Sequence, residues 1–235
     1  MLRKSICVYC GSRPGDREAY TTEATSLGTA IADEGWRLVY GAGDVGLMGT
    51  VARAAQAAGG ETFGVIPQHL QAREVGKSDL TTFIVTETMH ERKKVMLMNA
   101  DAVVVLPGGA GSLDELFEVL TWAQLGLHAK PIVILNVEGY WDPLLRLIEH
   151  VIDQGFADPS LARLLTIAGT PDDAMETLRA TRANQTGLLG FGSASPGRDR
   201  YNRSNDFFNS RPIAAERDRL GRLQATYAEL SATYQ

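Results

Sequence analysis

Three closely spaced glycines and a carboxylate follow an apolar run in the middle of the chain. Residues 107–115 read Pro-Gly-Gly-Ala-Gly-Ser-Leu-Asp-Glu, directly after the apolar residues 102–106. Glycines at 108, 109 and 111 let backbone N–H groups approach a ligand without an intervening Cβ, and a helix that begins here presents unsatisfied N–H groups and its positive dipole end. The segment therefore predicts an anion-binding turn that suits a phosphate.

Glu115 is a feature of this segment that a simple anion site does not need. A carboxylate one turn into the helix could carry out acid–base or electrostatic chemistry beside a bound phosphate. Ser112 and Glu115 also have the spacing of a capping box, in which both side chains bind helix N–H groups. A capping box does not explain the three glycines, so we favour the phosphate site, while both roles of Glu115 stay open.

A second polar cluster lies at 89–93, which reads Met-His-Glu-Arg-Lys. Thr88 and Glu91 have capping-box spacing, so a helix is predicted to begin here, with its first turn at the ligand edge of the sheet. Arg92 would offer a planar fork and Lys93 a point charge to a phosphate or its leaving group. The alternative is that both residues are surface charges.

Residues 41–46, Gly-Ala-Gly-Asp-Val-Gly, match the dinucleotide-binding pattern G-x-G-x-x-G. A dinucleotide site also needs an acidic residue at the end of the next strand, and here residues 66–69 read Ile-Pro-Gln-His. The motif also follows the second predicted strand instead of the first. We therefore interpret it as a second close-approach turn that lines the same cleft.

An alternation of predicted strands and helices positions these segments. Six short apolar or β-branched runs are predicted as strands: 5–10, 36–40, 62–66, 83–86, 102–106 and 131–136. Helical patterns occupy most of the gaps: 17–33, 47–58, 89–99, 113–125, 143–154 and 172–182. This alternation predicts an α/β fold with a parallel sheet covered on both faces, which binds ligands beyond the carboxyl ends of its strands.

Composition narrows the class of partner. The formal net charge of the 235-residue chain is −5, which lacks the basic excess of a nucleic-acid binder. No apolar stretch approaches the roughly 20 residues of a membrane span, and no signal peptide precedes the first strand. We therefore expect a cytoplasmic protein with a small-molecule ligand, without a nucleic-acid or membrane partner, a cofactor or a metal. Cys7 and Cys10 point to opposite faces of one strand and are predicted to be core thiols.

The composition changes after about residue 183. Residues 1–183 are predicted to form the sheet domain, 184–212 a flexible linker rich in Gly, Ser, Asn and Arg, and 213–235 an amphipathic helical tail. Apolar side chains recur every seven residues in this tail, at Ile213, Leu220, Tyr227 and Tyr234. Such a short stripe could join subunits or could remain a solvated tail.

Several of these segments resemble the LOG family, the cytokinin riboside 5′-monophosphate phosphoribohydrolases. Residues 107–115 are similar to the family's P-G-G-x-G-T-x-x-E signature, and residues 89–93 to its M-H-x-R-K segment. Residues 10–12, 41–49 and 121–126 are also similar to family segments in the same order, so the resemblance spans about residues 5–180.

The resemblance implies a Rossmann-like doubly wound parallel sheet, and a homodimer that could assemble further through the tail. The implied reaction is hydrolysis of the N-glycosidic bond of nucleoside 5′-monophosphates, including AMP, to free base and ribose 5-phosphate. The implied catalytic residues are Arg92 and Glu115. The predicted substrate-binding residues are Glu74, Arg92, Lys93, Gly108, Gly109, Ala110, Gly111, Ser112, Leu113, Asp114, Glu115 and Thr121, together with Gly11, Ser12, Gly43, Gly46 and Met48 of the cleft turns.

In such a reaction Glu115 would stabilise positive charge on the ribose and position water, and Arg92 could hold the phosphate or assist the departing base.

Two positions depart from the family pattern. Ser112 replaces Thr and keeps the hydroxyl, whereas Ala42 replaces a glycine and requires a negative φ there. The alternative function is a non-catalytic carrier of a nucleotide or nucleotide cofactor, because related Rossmann-like carriers have similar glycine turns.

Overall fold

The computed structural model describes residues 3–71 and 79–187. These residues contain one fully parallel sheet of seven strands, which are β1 Ser5–Tyr9, β2 Arg37–Tyr40, β3 Glu61–Pro67, β4 Thr82–Thr86, β5 Ala102–Val105, β6 Ile132–Leu135 and β7 Leu165–Ala168. In the same part of the chain the helices are α1 Glu18–Asp33, α2 Gly46–Ala57, α3 Gln68–Gln71, α4 Met89–Met98, α5 Ala110–Gln124, α6 Asp142–Asp153 and α7 Pro171–Gly187.

The strand order creates a cleft in the middle of the sheet. The order is β4-β3-β2-β1-β5-β6-β7, so the chain builds outward from β1 in one direction and then outward from β5 in the other. Ile6 of β1 pairs with Leu38 of β2 and with Ala102 of β5. The loops that follow β1 and β5 therefore diverge at their carboxyl ends, which is where ligands of doubly wound sheets bind.

Each face of the sheet has its own apolar core, because strand side chains alternate between faces. Ile6, Val8 and Cys10 pack with the helices α1, α2 and α7 on one face. Cys7 and Tyr9 pack with α4, α5 and α6 on the other. The predicted separation of the two thiols is confirmed, and both are free and buried.

The predicted elements agree closely with the structure. All six predicted strands are confirmed to within one residue at each end. The edge strand β7 was not predicted, because it has four residues, of which Thr166 and Ile167 are only partly buried, and its apolar pattern is weak. Helix α5 begins at Ala110, three residues before the predicted start at 113, which changes the interpretation of the glycine turn.

The predicted linker begins too early. Helix α7 continues to Gly187, so residues 184–187 are helical and do not belong to a linker. Residues 188–212 of the predicted linker and the predicted tail 213–235 lie outside the described residues. In the described ranges no helix has the length and apolar character needed to cross a bilayer.

Candidate active site

A cavity of about 510 Å³ opens at the carboxyl edge of the sheet, at the switch between β1 and β5. Its wall combines the loop after β1, the turn after β5, the first turns of α5, and residues from α1, α2 and α4. Its lining residues include Cys10, Gly11, Ser12, Arg13, Tyr20, Gly41, Met48, Leu70, Met89, Arg92, Met96, Tyr140 and, in the glycine turn and α5, Gly108, Gly109, Ala110, Gly111, Ser112, Asp114 and Glu115.

The glycines of the predicted phosphate turn have different tasks. A Cβ on Gly108 would lie 2.1 Å from Ser112 Oγ and 2.9 Å from Gly11 N, so glycine is needed there for packing. At Gly109 and Gly111, no described atom lies within 4 Å of an added Cβ. These two positions border open space in the cavity wall, at the N-terminus of α5, where backbone N–H groups lack partners within the helix.

The capping-box interpretation of Ser112 and Glu115 is wrong. Because Gly109 is the N-cap of α5 and no side chain of the described residues caps it, Ser112 is the third helical residue and Glu115 lies in the second turn. Both side chains are buried, with exposed fractions of 3% and 9%. Glu115 lines the cavity, so its carboxylate is positioned for chemistry there and not for capping.

Arg92 is buried and held by the ends of two strands. Its side chain is 5% exposed, its Nε donates to the carbonyl oxygen of Val65 at 3.1 Å, and its Nη2 donates to that of Gly41 at 3.0 Å. A Cβ on Gly41 would lie 1.8 Å from Nη2, so the glycine makes room for the guanidinium. The surface-charge alternative for Arg92 is therefore wrong, and its planar fork is rigidly placed in the cavity wall.

The predicted start of the arginine-bearing helix is confirmed. The N–H of Glu91 donates to Thr88 Oγ1 at 3.2 Å, and the N–H of Thr88 donates to Glu91 Oε2 at 3.2 Å, which completes a capping box. This reciprocal cap fixes the first turn of α4 beside the cavity.

Lys93 is also buried, with an exposed fraction of 4%, but it does not line the cavity. Its Nζ forms ion pairs of 2.9 Å with both Asp114 and Glu118 of α5. Burial lowers the pKa of Lys93, and the hydrogen bonds to Glu118 and Asp114 outweigh that effect, so its pKa is raised overall. The contacts show that Lys93 joins α4 to α5, while its predicted contact with substrate stays a prediction.

The expectation of a negative φ at Ala42 is wrong. Ala42 has φ 59° and is fully buried directly after Gly41. The left-handed conformation costs a residue with a Cβ about 1–2 kcal/mol. The turn from β2 into α2 needs this conformation regardless of the side chain, and a methyl group is small enough to be accepted.

The structure brings most of the predicted substrate-binding residues together. Eleven of them line the cavity: Gly11, Ser12, Met48, Arg92, Gly108, Gly109, Ala110, Gly111, Ser112, Asp114 and Glu115. Five described residues lie outside its lining: Gly43, Gly46, Lys93, Leu113 and Thr121. Thr121 is exposed further along α5, and Glu74 falls outside the described residues. The second close-approach turn, residues 41–46, contributes Gly41 to the cavity wall, and the first turn of α2 contributes Leu47 and Met48.

Sequence reasoning missed the aromatic part of the wall. Tyr20 and Tyr140 line the cavity, and their rings are 5.5 Å apart in an edge-to-face arrangement. Tyr140 follows β6, the strand next to β5. The rule that ligands bind beyond the carboxyl ends of strands could have directed attention to this loop.

Cys10 lines the cavity but is not equipped as a nucleophile. Burial and then the nearby charge of Glu115 raise the pKa of Cys10 well above its ordinary value. The neutral thiol is a poor nucleophile, so this side chain serves as apolar wall. The charged residues of the cavity lining are Arg13, Arg92, Asp114 and Glu115, and of these four Arg92 and Glu115 are buried.

Replacing Gly111 by Ala tests where an anion binds. The added methyl group meets no described atom and alanine favours a helix by about 1 kcal/mol, so the unfolding temperature should be unchanged or higher. If an anion approaches the N-terminus of α5, the methyl group should weaken binding of inorganic phosphate roughly tenfold, a loss on the order of one hydrogen bond. Gly169→Ala, where the added Cβ would lie 3.5 Å from Asp173 Oδ2, is the control. Equal phosphate affinity in both variants would place the anion elsewhere.

Comparison with known proteins identifies close relatives. A family model described as "Possible lysine decarboxylase" matches residues 48–178. A cytokinin riboside 5′-monophosphate phosphoribohydrolase from Arabidopsis thaliana is 40% identical over 186 residues, which are 79% of this chain and 82% of that protein. The cytokinin riboside 5′-monophosphate phosphoribohydrolase LOG from Oryza sativa subsp. japonica is 44% identical over 167 residues, which are 71% of this chain and 69% of that protein.

Solved structures share the architecture at lower identity. A Moco carrier protein from Chlamydomonas reinhardtii superimposes with a TM-score of 0.61 at 23% identity, covering 78% of this chain and 99% of that one. A molybdenum cofactor binding protein from Rippkaea orientalis gives a TM-score of 0.59 at 23% identity, covering 77% and 99%. At this level of identity the similarity shows the fold alone.

Proposed function

The chain belongs to the LOG family of cytokinin riboside 5′-monophosphate phosphoribohydrolases, and we propose that it hydrolyses the N-glycosidic bond of cytokinin nucleoside 5′-monophosphates and of AMP. The products would be the free base and ribose 5-phosphate. One observation carries the proposal: the buried side chains of Glu115 and Arg92 line a single cavity together with the open N-terminus of α5.

The helix terminus is the proposed phosphate site. Gly109 and Gly111 leave space beside the first N–H groups of α5, and the helix dipole favours an anion at this end. The backbone N–H groups of this terminus are candidate donors to the phosphate, and the cavity lining also includes the hydroxyl groups of Ser12 and Ser112 and the guanidinium of Arg13. A phosphate bound here would place the attached ribose close to Glu115 on the second turn of the same helix.

Glu115 is proposed to act on the ribose. Cleavage of the N-glycosidic bond develops positive charge on the sugar ring, which a nearby carboxylate stabilises. The same carboxylate can accept a proton from the attacking water. Because the side chain is only 9% exposed, its charge is weakly screened by solvent, which strengthens both effects.

Arg92 is proposed to serve the leaving base instead of the phosphate. Its anchors Gly41 and Val65 belong to the β2–β3 side of the cleft, whereas the glycine turn follows β5. Since β1 lies between β2 and β5 and neighbouring strands are about 4.8 Å apart, the Gly41 anchor and the turn stand roughly 10 Å apart. A guanidinium on that side of the cleft would stabilise negative charge on the departing base, which becomes the free base by taking up the proton that Glu115 accepted from water.

Two other functions are less well supported. A lysine decarboxylase with an imine-forming lysine would need a lysine of lowered pKa, but Lys93 has a raised pKa and two carboxylate partners. A non-catalytic carrier shares the fold with the Moco carrier proteins, yet a carrier does not require the buried Glu115. Incubation with AMP and with isopentenyladenosine monophosphate distinguishes hydrolase from carrier, because a carrier binds without releasing base or ribose 5-phosphate.

The 5′-phosphate should be required for activity. If the terminus of α5 holds it, the kcat/KM for AMP should exceed that for adenosine by roughly 10²–10³-fold, the value of about two hydrogen bonds to a charged group. Release of adenine from both compounds is measured at equal enzyme concentration. Equal kcat/KM values would contradict the phosphate site. The homodimer, further assembly through the tail and the cytoplasmic location stay predictions.

A further inference from the structure

Tyr140 contributes a hydroxyl group that holds the glycine turn. Its Oη donates a hydrogen bond of 2.6 Å to the carbonyl oxygen of Gly108. From the loop after β1, the N–H of Gly11 donates to the carbonyl oxygen of Pro107 at 2.9 Å. Two successive peptide groups of the turn that leads into α5 are therefore fixed by donors from other parts of the fold.

Fixing the Gly108 carbonyl also fixes the next N–H group. In a planar trans peptide the C=O of Gly108 and the N–H of Gly109 point in opposite directions. A donor on the oxygen therefore sets the direction of that N–H. The same hydrogen bond occupies a carbonyl oxygen in the cavity wall, whose partial negative charge would otherwise disfavour an anion nearby.

The preceding turn and two aromatic neighbours position Tyr140. The preceding turn has two successive residues in the left-handed region, Glu138 with φ 49° and Gly139 with φ 74°. This conformation is unfavourable for Glu138, whose carboxylate accepts a hydrogen bond of 2.8 Å from Arg17. The Tyr140 ring packs edge-to-face on Tyr20, and in the same geometry on the ring of Trp141. The two ring contacts place the hydroxyl within hydrogen-bond distance of the Gly108 carbonyl, although the Tyr140 side chain is 36% exposed.

We propose that Tyr140 is a positioning residue for the substrate phosphate, acting through the Gly108 carbonyl on the backbone donors at the N-terminus of α5. The inference rests on the proposed function for the identity of the phosphate-bearing ligand. In this role Tyr140 does not contact the reacting atoms, so it affects substrate binding and has little effect on the rate of bond cleavage.

The test is Tyr140→Phe, which removes the hydroxyl and keeps the ring. Affinity for inorganic phosphate, measured by calorimetry, should fall about 5–10-fold, the value of one neutral hydrogen bond. The KM for AMP should rise by the same factor, kcat should change less than about twofold, and the unfolding temperature should stay close to that of the wild type. The matched control is Tyr40→Phe, because the buried Tyr40 hydroxyl has no hydrogen-bond partner among the described residues.

The outcomes separate this inference from the proposed function. Unchanged phosphate affinity in Tyr140→Phe, or a fall equal to that in Tyr40→Phe, overturns the positioning role. A lower unfolding temperature with unchanged KM also overturns it, because that result indicates a merely structural hydroxyl. If the wild type binds phosphate but releases no base from AMP, the proposed function fails while the phosphate measurement still decides the role of Tyr140. If the wild type releases base from AMP but does not bind inorganic phosphate, the positioning role is overturned and the proposed hydrolysis stands.

Discussion

Glu115→Gln is expected to lower kcat for AMP roughly 10²–10⁴-fold. A neutral amide can neither accept a proton from water nor stabilise positive charge on the ribose as a carboxylate does. The substitution keeps the size of the side chain, and Glu115 does not cap α5, so the free energy of unfolding should change by less than about 1 kcal/mol. AMP binding should persist within about threefold, because the backbone donors of α5 are untouched.

The control for this variant is Glu118→Gln on the same helix. It removes the same charge at a residue that does not line the cavity and whose partner is Lys93. Its kcat should remain near that of the wild type. Steady-state kinetics with AMP measures kcat for both variants, and thermal unfolding measures their stability. Near-normal turnover in Glu115→Gln would show that the proposed mechanism is wrong, and lost AMP binding would show that the carboxylate mainly holds substrate.

Arg92→Met is expected to abolish measurable hydrolysis and to destabilise the protein as well. The substitution leaves the carbonyl oxygens of Val65 and Gly41 without their donor, and each unsatisfied buried group costs about 1–3 kcal/mol. The free energy of unfolding should therefore fall by about 2–6 kcal/mol. Urea denaturation measures this loss independently of activity.

Arg92→Lys separates charge from geometry. Lysine keeps the positive charge but cannot donate to both carbonyls from one planar group, so kcat should fall roughly 10²-fold, with a smaller loss of stability. If Arg92 serves the leaving base, affinity for inorganic phosphate should be unchanged. A fall in phosphate affinity comparable to the fall in kcat would instead assign Arg92 to the phosphate. Arg53→Lys, at an exposed ion pair with Asp44, is the control and should change neither quantity measurably.

The sequence by itself determined the fold class and predicted where the candidate site lies. Buried parallel strands appear in a sequence as continuous apolar runs, and the helices between them show apolar residues at helical spacing. Both patterns lie within short stretches of the chain, so they can be recognised without the tertiary structure. The glycine turn could be recognised because closely spaced glycines before a helix are a local pattern that is typical of anion sites. Motif order along the chain then indicated the family and, with it, Glu115 and Arg92.

Only the tertiary structure decided which roles those residues can have. Local spacing allowed Glu115 to be a cap, and the start of α5 at Ala110 excluded it. Local sequence allowed both Arg92 and Lys93 to bind a phosphate, yet Arg92 donates to the carbonyl oxygens of Gly41, directly after β2, and of Val65 in β3, whereas Lys93 pairs with carboxylates of α5. Tyr140 lies 32 residues from Gly108 and meets it only because β5 and β6 are neighbours. Such contacts depend on strand order and helix docking, which no local pattern encodes.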